Sequence, residues 1–235
     1  MSDLIYYGDS YAREFEARVT DSSPAGVVLD RTAFYPGGGG QPCDRGILEA
    51  GSRTWPVSGV RKENAVVMHS CGDDPPAAGE RVRGRLDWDR RYALMRVHTA
   101  LHVLCGVIWR DYGAHVTGGN MDVLRARMDF EFENMHQDLV REIEGRANRE
   151  VEMAREVRVR VLPRDEALAI PDLIRTKINL LPEGLREIRV VEIVGLDLQA
   201  DGGTHLANTR EVGAIRIVDY KSKGRINKRL EIALE

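Results

Sequence analysis

The chain has 235 residues, enough for one large domain or two modest ones, and its 43% apolar content can build proper cores. A net charge of −3 excludes a molecule that draws nucleic acid by bulk electrostatics, so any RNA contact has to come from local patches. Three cysteines, Cys43, Cys71 and Cys105, are too few and too unevenly spaced for a disulfide framework or a CxxC zinc ribbon, which leaves any metal to histidines.

The N-terminus, MSDLIYYGDSYAREFEARV, mixes acids and arginines among its apolar residues, unlike a secretory signal, and nowhere do eighteen apolar residues run together. A cytoplasmic protein with no membrane contact is expected. Residues 1–88 read as short strands between turn signals: LIYYGD, EFEARV, the turn SSPAG, VVLD, GILEA, TWPVSGV, AVVMHS, the breaker GDDPPAAG and RVRGRLDW. Short strands with Gly/Pro turns and no helical period predict a small β-barrel. From 87 to 112 the period changes: Leu94, Val97, Leu101, Leu104 and Ile108 mark one buried stripe of a helix ended by Gly113. A second helix is predicted over 136–155 from Leu139, Ile143, Ala147, Val151 and Ala154. Strand-like segments surround these helices at 123–132, 156–162, 185–194, 214–220 and 230–234, the last two joined through KSKGR as a hairpin. The fold class is therefore α+β: a small β-barrel domain over 1–88, then a two-layer α/β domain over 89–235 with a mostly antiparallel sheet.

Two stretches are basic, RVRGRLDWDRRYALMR (81–96) and KSKGRINKR (221–229). Each reads equally as a solvated face or as a contact for phosphates, the latter through Arg85, Arg90, Arg91, Lys221, Lys223 and Arg225.

RVHTALHVL places His98 and His102 four apart on the first helix, so they share a face with β-carbons roughly 6 Å apart and two imidazoles can converge on one ion. They border the apolar stripe, where a helix wall lines a cleft. HxxxH by itself also describes ordinary surface or core histidines, and no HExxH glutamate comes with it. DGGTH (201–205) changes the odds by adding Asp201 and His205, with Gly202 and Gly203 letting the backbone fold tightly between them. Three histidines and an acid suit zinc better than calcium or magnesium, which take mostly oxygen. One Zn²⁺ per chain is expected. His115 and His136 have no partner at ligand spacing and read as solvent-exposed, and His69 reads as a strand residue.

AFYPGGGGQPCD (33–44) is costly in backbone entropy. It reads either as a turn between strands or as a loop whose N–H groups approach a phosphate or terminal ribose, with Gln41 as donor and acceptor. It is neither a Walker nor a Rossmann loop, since no G-K-[ST] and no helix follow. The GGQ of translation release factors is at most convergent, as nothing else in the chain is like them.

HTALH on a helix, LQADGGTHLANTREVG a hundred residues later and AFYPGGGGQPCDRG in the barrel half together resemble the HxxxH, C-G-G-T-H and F-Y-x-x-x-G-G-Q-x-x-D signatures of the alanyl-tRNA synthetase editing domain. As a chain without an aminoacylation domain, the sequence resembles the free-standing trans-editing proteins of the AlaX type, in their medium form with the GGQ loop. The resemblance implies a zinc-dependent hydrolase that removes serine or glycine from the 3′ end of mischarged tRNA(Ala). It implies zinc on His98, His102 and His205, with Asp201 either a fourth ligand or an acceptor of a hydrogen bond from water beside the ion. Asp201 stands where the family often has Cys; both bring one negative charge, but oxygen is the harder donor. Gly202 and Gly203 would offer N–H groups to developing charge. Thr117 resembles the place where the family reads the substrate hydroxyl, a contact that can reject alanine strongly. Gly39, Gly40 and Gln41 would lie beside the pocket, and the acceptor end of tRNA would meet Arg85, Arg90, Arg91 and the 221–229 hairpin. Two alternatives stand beside this: a tRNA-binding module whose zinc is structural, and the same hydrolysis on another misacylated tRNA, since threonyl-tRNA synthetase editing domains share the histidine plan but lack the GGQ loop. No feature of the sequence specifies an oligomeric state.

Overall fold

The computed structural model describes residues 2–63, 66–176, 181 and 184–235. The chain forms two compact units, 1–93 and 94–235. The first opens with β1 (Asp3–Leu4) and a single helical turn, α1 (Ile5–Gly8), where an extended LIYYGD was expected. Burial of Tyr6 edge-on against Tyr35 overrides the strand pattern, and Asp9 N–H donates to Ile5 O to close the turn. Then come β2 (Glu14–Ser23), β3 (Gly26–Leu29), β4 (Arg31–Thr32), β5 (Gly46–Ala50), β6 (Arg53–Val57), β7 (Gly59–Glu63), β8 (Val66–Ser70) and β9 (Arg81–Leu86).

Seven of these strands form one antiparallel sheet in the order β6-β5-β9-β2-β3-β8-β7. TWPVSGV is thus two strands rather than one. β6 and β7 lie at opposite ends of the ladder yet are joined by Ser58 alone, so the sheet must curl until its edges meet; among the described residues no ladder closes it there. Pro56, which has no N–H to give, sits on the edge strand β6, where that loss is tolerated. β2 serves both halves, pairing with β9 over Glu14–Arg18 and, past a bulge after Val19, with β3. Phe15, Ala17, Val19, Val27, Leu29, Leu48, Val57, Val67, Val82 and Leu86 point inward and fill the roll.

His69 is wholly buried in this core, and its ring is fixed by a chain of bonds. Phe34 N–H donates to Thr32 Oγ1, the Thr32 hydroxyl to His69 Nε2 at 2.8 Å, and His69 Nδ1–H to Val27 O at 3.1 Å. Burial lowers its pKa from 6.5 to about 4, against the raising effect of the Val27 bond. The unfolded chain takes up this proton below about 6.5 while the folded chain resists until about 4. Stability is therefore expected to fall as pH drops through that window, by about 3 kcal/mol from this one group. Urea unfolding from pH 7 to 4 would show the slope, and His69→Gln should flatten it; equal slopes in both proteins would refute the assignment.

Between β4 and β5 the glycine-rich segment is a clamped loop. Gly38 and Gln41 exchange both backbone hydrogen bonds, and the two residues between them, Gly39 and Gly40, have φ of 57° and 87°, as a type I′ turn requires. At its base Asp44 N–H donates to Tyr35 O, and the Asp44 carboxylate accepts from Tyr35 N–H. Arg91 closes the base. Its guanidinium is 0% exposed, paired with Asp44 and donating to Ser10 O and Ala33 O. Expected as a phosphate contact, Arg91 has every direction occupied by protein, and that reading is corrected: it is an internal clamp.

The second unit takes up the helix α2 (Trp88–Tyr112), followed by β10 (Val116–Asp122), β11 (Arg125–Glu131), α3 (Gln137–Glu152), β12 (Val157–Pro163), α4 (Arg164–Leu168), β13 (Glu187–Ile193), β14 (Asp197–Ala200), the 3-10 turn Thr209–Val212, β15 (Ile215–Ser222) and β16 (Asn227–Leu234). Two antiparallel sheets result, β10-β11-β16-β15 and β12-β13-β14. The fold is α+β with mostly antiparallel strands, as expected. α3 starts where His136, exposed, accepts from Leu139 N–H as N-cap, and it buries Val140, Ile143, Ala147 and Val151. α2 does not carry a single stripe: residues 97–108 are buried all round, so the margin expected to border a cleft is itself interior. Among the described residues α2 alone is long and apolar enough to cross a membrane by composition, and 83% of that window is buried within the fold, as in a core helix.

Candidate metal centre

α2 and the loop after β14 bring four sequence-remote side chains together. His98, His102, Asp201 and His205 each offer one ligand atom, and these atoms all lie within 4.8 Å of one another. The imidazole centroids are 5.2 Å (His98 to His102), 4.1 Å (His98 to His205) and 4.6 Å (His102 to His205) apart. Asp201 Oδ2 is 3.0 Å from His205 Nε2, and Oδ1 is 3.5 Å from His98 Nε2. The three histidines are 3 to 6% exposed.

What surrounds the rings fits them to a metal. An imidazole binds an ion through a deprotonated nitrogen and needs a partner for the other one, which fixes tautomer and orientation. His102 Nδ1 faces Asp197 Oδ2 at 3.0 Å, His205 Nδ1 faces Thr99 Oγ1 at 3.3 Å, and the Thr204 backbone hydrogen-bonds His98. Burial holds His98 at about 4, helped by the charges of His102 and Arg189, and burial likewise holds His205 well below its usual value. Both rings are neutral near pH 7, the form that donates a lone pair. His102 goes the other way: burial, the largest single influence, lowers its pKa, but the bond to Asp197 and that carboxylate's charge outweigh it. Asp201 stays ionised, because the neighbouring histidines outweigh the burial that would raise it. Three nitrogens and one carboxylate oxygen at this spacing can hold a metal ion.

Alternation explains how the strands serve the site. Asp197, Gln199 and Asp201 fall two apart and share one face, and Arg189 lies opposite Asp201, which donates its N–H to Arg189 O. Arg189 Nη1 returns a bond to Asp201 O at 3.0 Å. The sequence reading missed Asp197 and Arg189, though the D-x-Q-x-D alternation before GGTH was a usable signal. Thr99, expected to turn toward the helix backbone, instead reaches His205 and accepts from Leu206 N–H. Neither Gly202 nor Gly203 has a positive φ, so tight folding is not what calls for glycine there. Gly203 N–H is spent on Asp201 Oδ2 at 2.7 Å, and a Cβ on Gly202 would meet nothing within 4 Å.

The remaining candidates are dispersed. Thr117 lies on β10, exposed, its hydroxyl donating to Asn227 Oδ1. His115 is half-buried against Trp109 rather than solvent-exposed. Gln41 is 2% exposed. Arg85 pairs with Glu49, and Arg90 donates to Cys43 O. In the hairpin Lys221 pairs with Asp219 and Glu231, Lys228 folds back onto Gly224 O and Arg225 O, and Arg229 binds Asp129, while Lys223 and Arg225 stay exposed at the tip.

Comparison with known proteins gives this geometry a family. Residues 7–90 match the family described as tRNA synthetases class II (A), and residues 188–231 match the threonyl and alanyl tRNA synthetase second additional domain. The chain is 40% identical over 233 residues to the alanyl-tRNA editing protein AlaX-M of Saccharolobus solfataricus, covering 98% of each. It is 40% identical to the AlaX-M of Methanosarcina acetivorans over 100% of this chain and 99% of that one. To the alanine–tRNA ligase of Thermococcus kodakarensis it is 42% identical over 219 residues, 91% of this chain but 24% of the ligase. Full-length identity of this order, joined to the convergent histidines, means that the chain belongs to the AlaX-M family of alanyl-tRNA editing proteins.

Proposed function

We propose that this protein is a cytoplasmic hydrolase that releases wrongly attached serine, and glycine, from the 3′ end of tRNA(Ala), with one zinc ion held by His98, His102, Asp201 and His205. The observation that carries the proposal is the meeting of three buried imidazoles and a carboxylate at one point, on a chain of the AlaX-M family. Zinc bound there supplies Lewis acidity toward the ester carbonyl and toward water. The residues of the chain do the rest. Burial of the four side chains keeps the donors neutral or paired, and Thr99, Asp197 and Thr204 keep the rings aimed. Gly202, with open space where a side chain would stand, leaves room beside Asp201 for a substrate group. Thr117 is proposed to read the serine hydroxyl. Gly39, Gly40, Gln41, Arg85, Arg90, Lys221, Lys223 and Arg225 are proposed contacts of the acceptor end, with the exposed Lys223 and Arg225 the best placed for phosphates.

The test is to incubate the purified protein with Ser-, Gly- and Ala-charged tRNA(Ala), before and after zinc chelation. Serine and glycine should be released and alanine spared, with release lost on chelation and restored by added zinc. Chelation that strips the metal without slowing release would refute the metal role. A zinc-loaded protein that binds the charged tRNA yet releases nothing would favour the non-catalytic module.

A further inference from the structure

We propose that Asp197 is a positioning residue for the metal centre: its carboxylate accepts the Nδ1 proton of His102 and so aims His102 Nε2 at the ion shared with His98, Asp201 and His205. This rests on the zinc reading above. His102 Nδ1 and Asp197 Oδ2 are 3.0 Å apart, with side chains 7% and 0% exposed. The carboxylate is itself held. Gln199 Nε2 donates to the same Oδ2 at 2.7 Å, and Arg175 Nε stands 3.6 Å from Oδ1. An imidazole without such a partner can flip its ring or change tautomer, and either motion puts a proton or a carbon where the lone pair must be.

Gly106 is a second, independent observation. His98, His102 and Gly106 follow at intervals of four on α2 and share a face. A Cβ at position 106 would come within 2.8 Å of Leu196 Cγ and 3.0 Å of both Asp197 Cβ and Leu196 O. The missing side chain lets the turn between β13 and β14 close on the helix, which delivers Asp197 to the histidine one turn earlier. A mid-helix glycine costs roughly 1 kcal/mol against alanine, so its use here is explained by the approach it permits.

The test measures zinc affinity by competition with a chromophoric chelator for the wild type, Asp197→Ala and Asp197→Asn. The zinc-loaded proteins are then compared by NMR of their histidine ring N–H groups. Alanine should weaken zinc binding by about 10- to 100-fold, the range for loss of an outer partner of a metal-bound histidine. Asparagine keeps an acceptor without the charge, and should lose about tenfold, the low end of that range. The Nδ1–H signal of His102 should broaden or vanish in the alanine variant while those of His98 and His205 persist; a general loosening of the fold would affect all three. Affinity within twofold of wild type in the alanine variant, or in the asparagine variant should that one alone fold, would overturn the role of Asp197 and leave the zinc reading standing. A wild type that binds no zinc would overturn both.

Discussion

His205→Ala is expected to abolish both metal retention and the release of serine from mischarged tRNA(Ala). His205 is the ring nearest to the other two, 4.1 and 4.6 Å from His98 and His102 by centroid, and it sits 3.0 Å from Asp201. Its loss removes one of four donors and opens a polar hole in a fully buried site, leaving His98 and His102 from one helix to hold an ion with Asp201 alone. The loss should exceed the roughly 10- to 100-fold that removal of an outer-shell partner costs. His98→Ala should behave alike. His115→Ala, half-buried against Trp109 and outside the cluster, should leave release intact. Elemental analysis of each variant beside the deacylation rate checks the prediction, and a His205→Ala protein with full activity would refute it.

Arg91→Ala should cost the most in stability, about 3–5 kcal/mol, the range for removing one partner of a buried ion pair. Asp44 is 1% exposed and would keep its charge with only Tyr35 N–H to answer it, while Ser10 O and Ala33 O would lose their donor. For a chain of this length the melting midpoint should fall by roughly 6–20 °C. Lysine should not rescue it, because one ammonium cannot reproduce the fork that spans a carboxylate and two carbonyls. In the double variant Arg91→Ala/Asp44→Ala the losses should add to less than their sum, since no uncompensated charge remains. A midpoint within 2 °C of wild type, measured by thermal unfolding at about neutral pH, would show that Arg91 is not the clamp.

The sequence by itself determined the pieces whose physics is local. The period of three and four at 94–108 and 139–151 gave α2 and α3, alternation gave β11, β12, β13 and β16, and SSPAG and KSKGR gave turns within a residue or two. The four glycines of 37–40 were legible as a demand on the backbone, and all four take positive φ. His98 with His102, and Asp201 with His205, could be paired within their own segments by spacing alone. Their meeting across a hundred residues was legible only through the motifs as a set.

Only the tertiary structure decided what depends on neighbours that are distant along the chain. Nothing in RVRGRLDWDRRYALMR tells Arg91 from Arg85, yet one is sealed against Asp44 and the other lies on the surface, because their fates turn on which carboxylate the fold brings near. The 221–229 charges likewise became ion pairs and hairpin contacts once Asp129, Asp219 and Glu231 were beside them. Edge position split TWPVSGV, and packing on every side replaced the single stripe of α2. Asp197 looked like any acid before a glycine-rich turn until the strand alternation and the bare backbone at Gly106 set it on His102. Backbone preferences act over a few residues and can be read in order; desolvation and pairing of charge act through space, and the chain has to fold before they take effect.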